Sequence, residues 1–173
     1  MLKLLQLANF ISFLPFAYGG LITTKYISET LNITNKNIRL EYIIFFFASL
    51  VSSEFLKKIF FNTFEGTQRP KDAKGCDFFS IGPKVGGKPG FPSGHMSVTS
   101  FVCVYNIIYL IRHSRLYSLR LTLPLKTLLI VTNIVIIGLM AWARHFKKCH
   151  NFIQIIGGTI LGTCFAALFA FIK

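Results

Sequence analysis

No charged residue interrupts the chain between Lys3 and Lys25, and charge-poor apolar runs return at about Tyr42–Phe61, His95–Ile111, Leu121 or Thr127 to Ala143, and Asn151–Ile172. A helix needs about 20 apolar residues to cross a bilayer. This recurrence at bilayer length predicts an all-α fold, an integral membrane helical bundle of about five spans. The first run could also be read as a signal peptide, with Ala17 and Gly19 at a small-residue cleavage site. It is long for a signal segment, so we read it as a span. Glu54, Lys57 and Lys58 interrupt the last third of the second run, so that end should face protein or headgroups.

Residues 63–94 break the pattern with Gly66, Pro70, Gly75, Gly82, Pro83, Gly86, Gly87, Pro89, Gly90, Pro92 and Gly94. So many glycines and prolines forbid a spanning helix and predict a long ordered loop. At 173 residues the whole chain, 1–173, reads as a single domain. Its net charge of +13 comes from 19 Lys and Arg against 6 Asp and Glu. The basic residues cluster between apolar runs, which suits anionic headgroups or a phosphate-bearing substrate. No basic helix interleaved with aromatics offers a nucleic-acid surface, and the 4 cysteines form no zinc pattern.

If all five runs cross, the long loop and the segment "ARHFKKCH" emerge on one membrane face. Within the last run Gly158, Gly162 and Ala166 recur every four residues, a stripe that lets helix backbones approach closely. The shared face collects Lys57, Lys58, Arg69, Ser93, Gly94, His95, Arg144, His145, Lys147, Lys148 and His150. Arginine forks grip phosphate oxygens. Backbone N–H groups at Ser93 and Gly94, near a helix start, suit an anion. A histidine serves as nucleophile or general acid near neutral pH. Carboxylates on this face are limited to Glu54, Glu65, Asp72 and Asp77, which argues against a magnesium site. Phosphoryl transfer by cations and two histidines, without metal or other cofactor, fits this set. Blander readings exist for single residues: Ser93 as a helix N-cap, Arg69 and Arg144 as snorkelling side chains, Lys147 and Lys148 as lipid-facing charges.

Taken together, "RP" at Arg69–Pro70, "PSGH" at Pro92–His95 and Arg144 followed six positions later by His150 resemble the three signature motifs of the type 2 phosphatidic acid phosphatase superfamily. These are integral-membrane lipid phosphate phosphatases related to haloperoxidases, and the resemblance covers about residues 40–172. It implies that His150 is the nucleophile and forms a phosphohistidine. Lys58, Arg69 and Arg144 would hold phosphate oxygens, while Ser93 and the Gly94 N–H add donors. His95 would protonate the leaving lipid oxygen and then activate water, and Gln154 would orient His150. The implied substrate is a lipid phosphate or lipid diphosphate held at the membrane.

Three positions depart from the family pattern. Its first lysine would fall on Asn62, and Lys58 lies four residues further back. An unbroken helix would hold Lys58 roughly 16 Å from Arg69, so the chain must turn back, with Gly66 as a candidate end. Ala143 stands where serine is usual, and Gln154 where aspartate is usual. The dolichyl diphosphate phosphatase branch resembles this chain in its glutamine, which points toward polyprenyl diphosphates. The alternative is a non-catalytic membrane protein that keeps the phosphatase fold. The basic connection from Arg112 to Lys126 places the loop face outside the cytosol, whereas the sequon Asn32-Ile33-Thr34 on the other side argues against that. Cys76 and Cys149 both reach the loop face. They would form a disulfide in an oxidising compartment and remain thiols in the cytosol, and the two free thiols are the reading we carry forward.

Overall fold

The computed structural model describes residues 3–14, 16–17, 37–77, 82–113 and 123–172. Among these described residues there are five helices: α1 (Lys3–Leu14), α2 (Asn37–Ile59), α3 (Gly94–His113), α4 (Leu123–Phe146) and α5 (Phe152–Ile172). Among the described residues, helices α3, α4 and α5 are each long and apolar enough to cross a membrane. Helix α2 has the length, at 23 residues, but carries charge near its end. The stretch around Ala17 and Gly19, the sequon at Asn32 and the basic connection after His113 lie partly or wholly outside the described residues.

Helices α2, α3 and α5 meet around an aromatic core of Tyr42, Phe101, Tyr105 and Phe169. The small-residue stripe of α5 makes this possible. A side chain built at Gly158 would start 2.3 Å from the Ser93 carbonyl oxygen, and one at Gly162 would start 2.0 Å from that of Ser97. Any larger residue would push α5 off α3. Polar contacts join α2 to α3 inside the bundle, where the Ser49 and Ser97 hydroxyls lie 2.8 Å apart. Helix α4 packs on the other side through Met96, Met140 and Ile155.

The loop after α2 folds as a narrow antiparallel flap. Arg69 N–H donates to the Lys88 carbonyl at 2.9 Å and Val85 N–H to that of Ala73 at 2.7 Å. Beneath it Phe60, Phe64 and Phe91 pack edge to face. Asn62 and Gly66, with φ of 60° and 88°, reverse the chain after α2. That reversal brings Arg69 back over the bundle end.

Candidate active site

Four elements converge at this end: the close of α2, the flap, the start of α3, and the turn between α4 and α5. His150 lies in that turn, 1 % exposed. Asn151 caps α5 by accepting the Gln154 N–H at 3.0 Å. This sets Gln154 one turn beyond His150, with its carboxamide against the ring.

The orientation of that carboxamide is decided by its surroundings. Gln154 Nε2 donates to the carbonyls of Gly66 and Gln68, both at 2.7 Å. Two acceptors on one side require the NH2 group there, so Oε1 must face His150 Nδ1, 2.9 Å away. An oxygen can only accept, so Nδ1 carries the ring proton. Nε2 keeps its lone pair and receives Arg69 Nη1 at 3.4 Å. Burial, with Arg69, Arg144 and Lys57 nearby, holds the His150 imidazole well below its ordinary pKa, and the Gln154 hydrogen bond opposes this only in part. The ring is therefore neutral, with the lone pair of Nε2 turned toward an arginine.

The arginines are held by backbone. Arg69 donates to the carbonyls of Cys149 and Pro89, each at 3.3 Å. Burial lowers its pKa, and Glu54 opposes that. Arg144 is fully buried; its Nη2 donates to the Cys76 carbonyl at 2.8 Å and its Nη1 to Ser12 Oγ at 3.4 Å. Both are far from snorkelling. Cys76 and Cys149 are bonded to each other, with Cα atoms 5.5 Å apart. This corrects the free-thiol expectation: the flap folds back far enough to bring the two chains within disulfide range.

His95, second residue of α3, lies within electrostatic reach of Arg144, His150, Lys57 and Lys147. Ser93 holds the N-cap position, yet its hydroxyl does not cap. Its N–H, expected as an anion donor, is already given to the Gln154 carbonyl at 2.9 Å, so only the hydroxyl and the Gly94 N–H remain. Three buried polar atoms, Ser93 Oγ, His95 Nε2 and Arg144 Nε, have no hydrogen-bond partner in the structure. Unsatisfied groups of this kind are rare in native interiors, and these three sit on Ser93 and His95 at the start of α3 and on Arg144, which is within electrostatic reach of His95.

The lysine assignment needs correction. Lys58 is exposed, while Lys57 is buried and pairs with Glu54. Its Nζ would lie 3.7 Å from a Cβ placed on Gly94. The buried face of α2 runs Ser49, Ser53, Lys57, and Lys58 stands one helical step, about 100°, around from it. Counting back from Arg69 falls on Asn62, with Lys58 the nearest lysine beyond it, whereas the four-residue stripe of Ser49 and Ser53 points to Lys57. Lys147 is also buried rather than lipid-facing. It donates to the Gly75 carbonyl at 2.8 Å, and burial, then Arg144, lowers its pKa to about 8. Lys148 is exposed beside Asp72 at 3.3 Å, and His145 stacks on Phe152. A cleft of about 440 Å³ opens along Asn62–Gln68 but is lined by neither histidine.

Residues 40–172 match the family model of the PAP2 superfamily. The match spans most of the chain, and the chain belongs to that superfamily. Membership points to phosphatase activity on phosphate esters, and the apolar helices place the protein in a membrane. No curated protein and no solved structure matches the chain.

Proposed function

We propose that the protein is a multi-pass membrane phosphatase acting on a lipid phosphate or lipid diphosphate through a phosphohistidine on His150. His150 Nε2 attacks phosphorus and the bond to the leaving oxygen breaks. His95, which takes up its proton once the anionic phosphate offsets the charge of Arg144, Lys57 and Lys147 around it, gives that proton to the leaving oxygen. Water then attacks the phosphohistidine, His95 takes the water's proton, and the P–N bond breaks to release inorganic phosphate. Nδ1–H stays on Gln154 Oε1 throughout, so the imidazolium formed in the intermediate keeps its acceptor. Lys57, Arg69 and Arg144 surround the phosphate oxygens, and Ser93 Oγ with the Gly94 N–H adds neutral donors. Such preorganised charge is where most of the rate gain is expected. Neither step calls for a metal ion.

The observation that carries this reading is the carboxamide of Gln154, whose two carbonyl acceptors force His150 into the tautomer that bares Nε2. The unpartnered atoms of Ser93, His95 and Arg144 supply the complementary argument, since a phosphate would satisfy all three. The glutamine resemblance favours a polyprenyl diphosphate. The disulfide supports a loop face on the non-cytosolic side, where an oxidising environment maintains such bonds.

The test is phosphate release from a panel of lipid phosphates and diphosphates in excess EDTA. Release should persist in EDTA and vanish in His150→Ala, and His95→Ala should lose roughly 100-fold, the usual scale for a general acid. Magnesium-dependent release, or an active His150→Ala, would refute the mechanism.

A further inference from the structure

We propose that helix α1 is a working part of the active site, with Ser12 and Phe16 as positioning residues for Arg144 and His95. The idea rests on the phosphatase reading above. The superfamily match begins at residue 40 and so assigns nothing to α1.

Positions 8 and 12 are four apart and share one face of α1, and Phe16 follows just beyond the helix. Ala8 and Ile11 pack against Ala143, the residue before Arg144. The small side chain at 143 lets α1 come this close. Ser12 Oγ donates to the Ala8 carbonyl at 2.8 Å, which commits its proton and leaves the oxygen to accept Arg144 Nη1 at 3.4 Å. With Nη2 on the Cys76 carbonyl, both ends of the guanidinium are fixed, and the unpartnered Nε edge is set by residues outside α4. Phe16 meets the His95 ring edge-on, centroids 5.2 Å apart at 82°. That contact limits rotation of the imidazole whose Nε2 has no partner. Helix α1 thus touches the phosphate-gripping arginine through Ser12, and Phe16, just beyond it, touches the proton donor. Away from the face of Ala8 and Ser12, Leu7 and Phe10 are exposed for lipid.

A helix that only packs would lower activity on every substrate alike. A positioning helix separates the two contacts. The full-length protein would be assayed with a long-chain alkyl phosphate, whose leaving alkoxide needs a proton, and with p-nitrophenyl phosphate, whose leaving phenolate does not. Ser12→Ala removes an acceptor from a buried charge and should lower kcat/KM about tenfold or more on both substrates. Ser12→Thr, which keeps the hydroxyl, should restore it. Should Ser12→Ala fail to fold, Ser12→Cys replaces it as a near-isosteric poor acceptor. Phe16→Leu should lower kcat/KM, which reports only the steps up to phosphohistidine formation, about tenfold on the alkyl phosphate, within the range for a misplaced acid, and leave kcat/KM on the aryl phosphate nearly unchanged. Equal kcat/KM of Ser12→Ala and Ser12→Thr, or an equal loss of kcat/KM on both substrates in Phe16→Leu, would overturn the proposal. If the native protein turns over neither substrate, the phosphatase reading fails and orthovanadate decides the role of α1. Vanadate should raise the melting temperature less in Ser12→Ala than in Ser12→Thr. Equal shifts, or no shift in the native protein, would reject it.

Discussion

Cys76 and Cys149, joined to each other, offer their backbone carbonyls to two different arginines: Arg144 bonds the carbonyl of Cys76, in the flap, and Arg69 that of Cys149, in the α4–α5 turn. The exchange is crossed. The flap arginine is anchored on the turn, and the helical arginine is anchored on the flap. The disulfide holds both anchors in register.

Reduction should therefore reach the phosphate site as well as stability. The bond closes a separation of 73 residues, worth on the order of 4 kcal/mol in the chain-entropy picture. Treatment with a reductant, or Cys76→Ser with Cys149→Ser, should lower the melting temperature and raise KM about tenfold, as expected for loosened charged hydrogen bonds. Unchanged KM with a lowered melting temperature would confine the bond to a structural role.

Lys57 and Lys58 make a sharp pair because they differ by one helical step. Lys57 is buried against Gly94 and within reach of Arg69 and Arg144, and Lys58 is exposed. Lys57→Ala should lower kcat/KM by roughly 100-fold, the scale for removing a preorganised charge from a transition state. Lys58→Ala should stay within about twofold, as surface changes usually do. The opposite ranking in steady-state kinetics would restore Lys58 as the phosphate-binding lysine.

The contrast shows what local sequence carries. Helices α3, α4 and α5 were legible to within a few residues, because apolar runs end at Gly94, near Phe146 and at Asn151, where glycine, charge or a cap stops them. The stripe of Gly158 and Gly162 foretold a close helix contact, though not that α3 would be the partner. The facing of α2 was not read, although Ser49 and Ser53 mark it. The disulfide, the Ser12–Arg144 contact and the two carbonyls behind Gln154 depend on how the flap and α1 fold over the bundle. No local periodicity encodes that.

Gln154 illustrates the point. From sequence it looks like a weaker aspartate, and Gln154→Asp should then keep or raise activity. In the structure its NH2 group satisfies the Gly66 and Gln68 carbonyls. An aspartate is shorter, has no donor, and would set negative charge beside two oxygens. Each unsatisfied buried acceptor costs about 1–3 kcal/mol. Gln154→Asp should thus lower the melting temperature and reduce kcat/KM about tenfold or more. A stable, fully active Gln154→Asp would show that the glutamine has no second task.

The protonation of His150 can be read from pH. Burial and the neighbouring cations depress its folded pKa well below the ordinary value of 6.5, and the Gln154 hydrogen bond offsets part of this. Between the two values the unfolded chain binds the proton and the folded chain does not. Stability is therefore complete above pH 6.5 and is lost as pH falls toward the folded value. Catalysis follows the same sign, since only neutral imidazole can attack phosphorus. The acid limb of kcat/KM reports the free enzyme and should lie below pH 6.5. Arg69→Gln removes one of the depressing charges while keeping a polar side chain, and should move that limb upward on whatever activity remains. An acid limb at or above pH 6.5 in the native protein, with no shift in Arg69→Gln, would mean that His150 is not held neutral by these cations and that some other group sets the profile.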